Sequence, residues 1–197
     1  MNTFIIAEDN YWETGLRLDP KRLRKQIVEV QQMHTALVTG LPAHILHHPA
    51  TQAWVGFEDN LLYYGARLGC ALEKRFPGGK KHASVAYCEE RLTALPLNRY
   101  FAAETNMPPW LKDITPYHKS RLWTKDPQYY MVLFSCLGVG IEEHNAFYPV
   151  ILDKTVINWV NRYAGEKHWV LSHEESQTKY KTAWAAVQAA RSQFKKT

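Results

Sequence analysis

The chain has 197 residues, of which 46% are hydrophobic and 13% aromatic, which supports one domain with a buried core, or one domain with an appendage. The net charge of +5 permits contact with phosphates without establishing it. No run of about 18 apolar residues predicts a membrane span, and acidic residues soon after "TFII" argue against a signal peptide. Three widely spaced cysteines fit reduced thiols and a cytoplasmic location: Cys70, Cys88 and Cys136.

The first predicted long helix begins at Asp19 and Pro20, because aspartate is a good N-cap and proline fits the first helical position. From Leu23 to Leu37, apolar residues and one histidine recur every three or four positions. This is the spacing of a helix face turned towards a core. Gly40 and the proline two residues later predict the end of the helix.

A second long helix is predicted to begin at Pro49 and to continue through "ATQAWVGFEDNLLYYGARLGCALEKRF", in which large apolar residues keep helical spacing. "PGGKK" at 77–81 predicts a turn, and "ASVAYCEERLTAL" predicts a third helix. A short helical piece is expected within residues 115–130, and a C-terminal helix from about residue 173. These elements predict an all-α fold, namely a compact helical bundle with a C-terminal helical extension.

Polar residues on the first long helix share one side because they lie three and four positions apart. One interpretation is a solvated face with a Lys25–Glu29 pair worth ~0.3–0.5 kcal/mol. The other is a surface whose cations hold nucleic-acid phosphates around one acid that is placed for chemistry at a sugar carbon. The residues concerned are Arg22, Lys25, Gln26 and Glu29, with Lys21 and Arg24 beside them.

Two further clusters carry candidate binding residues. His44, His47 and His48 do not match a zinc signature, so no metal site is predicted; "HHP" is expected to cap the next helix, with His48 donating to a phosphate. In "TPYHKSRLWTKDPQYY" cations alternate with aromatic rings, a mixture that suits phosphates and an unstacked base. Its candidate DNA-contacting residues are His118, Lys119, Arg121 and Lys125.

Several common enzyme classes lose support because their motifs are missing: the chain has no P-loop, GxGxxG, GxSxG or HExxH. Four other pieces occur in a family order: "MNTF", "LDPKRLRKQIVE", "HHPATQAWVGFEDNLLYYG", and "PPWL" followed by "YHKSRLWTKDPQYY". In these pieces the chain resembles the phage pyrimidine-dimer DNA glycosylases, the endonuclease V-like repair enzymes. The resemblance covers residues 1 to about 130. It implies a glycosylase-like helical domain at 1–130 and a C-terminal extension at 131–197.

The resemblance implies a chemistry as well as a bundle of about three helices. Relatives flip a nucleotide and attack the sugar C1′ with a terminal α-amine, forming an imine that permits β-elimination. The key glutamate of the family falls on Glu29, while Arg22 and Lys25 match its phosphate-holding residues. Double-stranded DNA with a damaged or modified base is the expected partner, and no cofactor is expected. Tyr64, or its neighbour Tyr63, is expected to stack near the flipped base.

The nucleophile has more than one candidate, because the second residue is Asn2 and removal of the initiator methionine normally needs a small second side chain. The attacking amine is therefore that of Met1, that of Asn2 after processing, or Lys25 with a lowered pKa. In a monofunctional glycosylase, Glu29 would instead activate water.

Two classes of function are compatible with these residues. A glycosylase requires Glu29 to face the same cleft as the N-terminus and His118. A non-catalytic DNA-binding module of the same fold requires only that Glu29 pairs with Lys25 or Arg22 in solvent. A metal-dependent nuclease that uses the histidine cluster is the weakest alternative.

Overall fold

The computed structural model describes residues 3–7 and 10–111 and, beyond these, only residues 115, 118, 119, 122, 125, 126, 129, 130 and 133. Contacts group the chain into two units, Met1–Leu111 and Lys112–Thr197. The predicted domain boundary after residue 130 stays a prediction. The expected C-terminal extension and its helix lie outside the described residues.

Every regular element of the described residues is a helix, which confirms the all-α prediction. None of the helices in these ranges is long and apolar enough to cross a membrane. In chain order they are α1 (Tyr11–Arg17), α2 (Pro20–Thr39), α3 (Ala43–Leu46), α4 (Pro49–Gln52), α5 (Glu58–Arg75), α6 (Ala83–Thr93) and α7 (Leu97–Thr105).

Both ends of α2 follow the predicted signals. The Asp19 carboxylate accepts hydrogen bonds from the backbone N–H groups of Lys21 and Arg22, each at 3.1 Å, which satisfies two donors that the first turn would leave unpaired. Gly40 ends the helix with φ 76°, a left-handed conformation that glycine adopts without steric cost. Local sequence therefore fixes the length of the helix that carries the candidate acid.

The centre of the first unit is α5, which packs against α1, α2, α6 and α7. Gly65 lies where three helices meet: a Cβ at this position would lie 2.6 Å from Cys88 Sγ on α6 and 2.7 Å from Val30 Cγ1 on α2. Glycine thus lets the helix backbones approach closely. The predicted apolar face of α2 is buried from Leu23 to His34. Helices α2, α5 and α6 therefore meet in the core, and α1 and α7 also pack against α5.

The prediction that the second long helix is continuous from Pro49 is wrong. The structure has the single turn α4, then a break, and α5 begins only at Glu58. Gly56 adopts φ 83° in this break, and the Gly56 N–H donates a hydrogen bond to the Glu58 carboxylate at 2.8 Å. The break directs Trp54 into the core, where its side chain is fully buried. Helices α1, α3 and α7 were not predicted either.

The described residues of the second unit confirm helical structure within residues 115–130. Positions 115, 118, 119, 122 and 125 are helical. Thr115, His118 and Leu122 are fully buried, at the three- and four-residue spacing of one helix face. Asp126 interrupts the helix, and its carboxylate accepts a hydrogen bond from the Tyr129 N–H at 3.2 Å.

His34 is a buried histidine between α2 and α6. Its Nδ1 is hydrogen-bonded to the Tyr87 hydroxyl at 2.9 Å, and the Arg91 guanidinium lies 3.8 Å from the centre of the Tyr87 ring. Burial, and secondly the charge of Arg91, lower the pKa of His34 to about 4, against a smaller opposing effect of Asp59. The folded protein therefore holds this imidazole neutral at pH 5.

We expect the free energy of unfolding to fall as the pH is lowered from 6.5 to about 4. In this window the unfolded chain protonates His34 and the folded chain does not, so protons favour unfolding, by at most about 3 kcal/mol for this residue. Urea denaturation across this range should show a shallower pH dependence in His34→Gln than in the wild type. Equal slopes in the two proteins would mean that His34 does not contribute.

Candidate functional site

Glu29 is the acid that the sequence singled out, and it is 7% exposed. Its Oε2 accepts a hydrogen bond from Gln26 Nε2 at 2.9 Å, and its Oε1 lies 3.7 Å from Lys25 Nζ. Lys25 is two-thirds exposed, with its ammonium near the protein surface. The carboxylate thus lies at the boundary between the core and the cationic face of α2.

The other end of the Gln26 side chain binds the N-terminal segment. Gln26 Oε1 accepts a hydrogen bond from the Phe4 N–H at 2.7 Å. The Tyr64 hydroxyl on α5 donates to the Phe4 carbonyl at 2.7 Å and lies 3.1 Å from the same Gln26 oxygen. All of these groups are buried. The glutamine amide therefore joins the candidate acid, the N-terminal segment and α5 in one network.

Two threonines fix the N-terminal segment further. Thr3 Oγ1 accepts a hydrogen bond from Trp54 Nε1 at 3.0 Å, and Thr14 Oγ1 accepts from the Ile6 and Ala7 N–H groups at 3.1 and 3.0 Å. Thr14 thereby provides a partner for two backbone donors that belong to no helix, while the indole of Trp54 holds Thr3. An extended segment is thereby held against α1 and the buried face of Trp54, in contact with the network of Glu29.

Aromatic rings form the wall behind this network. Tyr64 lies parallel to Trp54 with ring centres 5.9 Å apart and meets Tyr11 edge-on at 5.0 Å. Tyr63 is 8% exposed and donates a hydrogen bond to Glu104 at 2.9 Å. Because Tyr64 is fully buried, stacking of its ring on a base would require this wall to open. The predicted stacking role of Tyr64 or Tyr63 stays a prediction.

The cations of α2 are not equivalent. Lys21, Arg24 and Lys25 are exposed, as a phosphate-binding surface requires. Arg22 is half-buried, and its Nη1 lies 2.8 Å from Asp19 Oδ2, so it also supports the helix cap. The four cations thus lie on neighbouring turns of α2 but differ in their exposure and in their partners.

Sequence reasoning missed a second contribution to the cationic surface. The Arg24 guanidinium lies 4.7 Å from the centre of the Phe76 ring, and Arg75 at the end of α5 lies 5.6 Å from the same ring. Arg75 also donates to the carbonyls of Gly15, at 3.2 Å, and Leu18. Local patterns cannot reveal this pairing, because it depends on how α5 packs beside the start of α2.

One residue of the histidine cluster, His48, caps α4. His48 Nδ1 accepts a hydrogen bond from the Ala50 N–H at 3.1 Å, which confirms the predicted capping role. Burial, and secondly the positive charge at the N-terminus, lower the pKa of His48. His44 and His47 are exposed. In the described parts of the chain, no three His, Cys, Asp or Glu residues are placed to hold a metal ion.

The remaining candidate residues are in the second unit or outside the described chain. His118 is fully buried, and burial lowers its pKa to about 3, so it is neutral at physiological pH. Lys119 is half-buried and Lys125 exposed. Arg121 and Asn2 lie outside the described residues. The DNA-contacting roles of these residues, and that of Asn2 in catalysis, stay predictions.

Comparison of the chain with protein-family models, curated proteins and solved structures found no match. The resemblance to the pyrimidine-dimer glycosylases therefore depends on the quoted motifs alone.

We expect Tyr64→Phe to destabilise the protein by about 1–2 kcal/mol, because the Phe4 carbonyl loses a buried donor while the ring is retained. Amide hydrogen exchange at Phe4 and Ile5 should become faster. The matched control is Tyr63→Phe, which removes a hydroxyl bonded to the exposed Glu104 and should cost less. Equal stability of Tyr64→Phe and the wild type in urea denaturation would show that this bond does not hold the segment.

Proposed function

We propose that this protein is a cytoplasmic DNA N-glycosylase that excises a damaged or modified base from double-stranded DNA, with AP-lyase activity when a protein amine attacks the sugar. The proposal is carried by one observation: a buried carboxylate, Glu29, lies on a cationic helix and is linked through Gln26 to the N-terminal segment. Burial of an ionised carboxylate costs free energy, so a buried carboxylate is more often found where it has a function. Catalytic acids and bases are commonly found in such surroundings.

The charge distribution supports DNA as the partner. Lys21, Arg24 and Lys25 are exposed on α2. The guanidinium groups of Arg24 and Arg75 both contact the ring of Phe76, a residue that is 37% exposed. Phosphate contacts of this type hold the duplex without reading its sequence. They also lower the repulsion between the DNA backbone and the Glu29 carboxylate. The cations therefore serve binding and make an acid near the sugar tolerable.

The proposed reaction begins when an amine nitrogen forms a bond to the sugar C1′. The C1′–N bond to the base breaks, and the departing base keeps the electron pair and receives a proton. The nitrogen then forms a double bond to C1′ as the C1′–O4′ bond breaks, and the nitrogen proton is transferred to O4′. Glu29 carries protons between the amine, the base and O4′. Loss of a C2′ proton next expels the 3′ phosphate, and water releases the protein from the imine.

Two amines are candidates for this attack. Lys25 Nζ lies 3.7 Å from Glu29 Oε1. The residues that precede Thr3 are tethered to the site by the chain itself, because Thr3 and Phe4 are hydrogen-bonded to Trp54 and Gln26. In a third route, Glu29 takes a proton from water, which attacks C1′ and leaves no imine.

A non-catalytic DNA-binding module is the second candidate. It is favoured by the contact between Lys25 and Glu29, since such a pair four residues apart on a helix is a common structural interaction. It does not account for the burial of Glu29 or for its link to the N-terminal segment.

We expect Glu29→Gln to release base from ultraviolet-irradiated or base-modified duplex DNA at least about 100-fold more slowly than the wild type, as for loss of a general acid–base group. Its affinity for the same DNA should be unchanged or higher, because one negative charge near phosphates is removed. Base release is measured by chromatography and affinity by fluorescence anisotropy.

The matched comparison is Lys21→Gln combined with Arg24→Gln. These changes should weaken DNA binding and flatten its salt dependence, while base release at saturating DNA stays near the wild-type rate. If the wild type binds DNA but releases no base from any of these substrates, the binding-module alternative is favoured.

A further inference from the structure

Gln26 has an orientation that its partners determine. The Phe4 N–H can only donate a hydrogen bond, so the side-chain atom 2.7 Å from it must be the amide oxygen. The Tyr64 hydroxyl, 3.1 Å from the same atom, is compatible with that oxygen. The amide nitrogen therefore faces Glu29, at 2.9 Å.

This orientation makes the two oxygens of Glu29 chemically different. An amide N–H₂ group can only donate, so Oε2 of Glu29 must accept and cannot carry a proton towards Gln26. Oε1, on the side of Lys25, has no such restriction from Gln26. The hydrogen bond from Gln26 uses one lone pair of Oε2, so it disfavours protonation of that oxygen and leaves Oε1 as the better site for proton transfer.

We propose that Gln26 is a positioning residue that reserves Oε1 of Glu29 for proton transfer and fixes the N-terminal segment beside the same carboxylate. The inference rests on the proposed glycosylase function and goes beyond it by assigning the working oxygen. A purely structural glutamine needs only to fill space and satisfy its amide. This one is 1% exposed, and its two ends contact the acid and the segment that precedes it in the chain.

The variant Gln26→Glu separates these two contacts. The new carboxylate has nearly the same shape and still accepts hydrogen bonds from the Phe4 N–H and the Tyr64 hydroxyl, so the N-terminal segment keeps its partners. It cannot donate to Glu29 unless it is protonated, and two adjacent carboxylates then compete for one proton. We expect one pKa of the pair to rise by at least about one unit.

The first readout needs no DNA. Titration of the Glu29 side-chain carboxyl by carbon-detected NMR should show a higher pKa, or a two-step titration, in Gln26→Glu than in the wild type. The second readout is the pH profile of single-turnover strand cleavage at an abasic site, whose acidic limb should move by the same amount to higher pH. An unchanged Glu29 titration would overturn the inference, as would an active variant whose pH profile does not move.

These readouts also separate the inference from the proposed function. A shifted Glu29 titration in a protein that cleaves no abasic DNA and releases no base would mean that the glycosylase proposal fails, and the assignment of a working oxygen fails with it. A cleaving wild type with an unshifted titration would retain the glycosylase and exclude only the role of Gln26.

Two control variants test whether the effects of Gln26→Glu come from a general loss of structure. Gln52→Glu is the same substitution on α4, where Nε2 of Gln52 donates to the Leu46 carbonyl at 2.7 Å; it should leave the Glu29 titration and the pH profile in place. The exchanged pair Gln26→Glu with Glu29→Gln restores an amide-to-carboxylate bond and should fold, but it should cleave at least about 100-fold more slowly. Wild-type cleavage by the exchanged pair would overturn the inference.

Discussion

The organisation of this protein depends on a buried carboxylate and on the groups that make its burial tolerable. A desolvated carboxylate destabilises a fold unless hydrogen bonds or opposite charges compensate. Glu29 receives a hydrogen bond from Gln26 and lies near Lys25. Gln26 can donate in this direction because Phe4 and Tyr64 satisfy its oxygen. The same hydrogen bonds therefore determine the path of the N-terminal segment, the packing of α5 and the environment of the acid.

The cationic surface follows from the same packing. The start of α2 lies beside the end of α5, so that Arg24 and Arg75 share the Phe76 ring. Charges remote in sequence thereby join those of α2 itself, while Arg22 supports the cap at Asp19. Glu29 lies on α2, at the boundary between the core and the cationic face.

The sequence predicted those features that depend on neighbouring residues. The cap at Asp19, the end at Gly40 and the buried stripe of α2 follow from local propensity and spacing, and Glu29 stood out as one acid among cations. The break at Gly56 was missed because apolar spacing continues through Trp54 and Phe57 as it would in one helix. The bond from Phe4 to Gln26 spans 22 residues, and no local pattern encodes it. Burial of Tyr64 and His118 likewise depends on tertiary packing.

In the proposed reaction, Glu29 assists attack of a protein amine on the sugar. The most direct measurement is borohydride reduction during incubation with duplex DNA that contains one abasic site, followed by mass spectrometry of the adduct. We expect a covalent adduct of the wild type at Lys25 or in the residues before Thr3, and a strongly reduced yield in Glu29→Gln. Equal yields in both proteins, or no adduct together with no strand cleavage by the wild type, would contradict the proposed reaction.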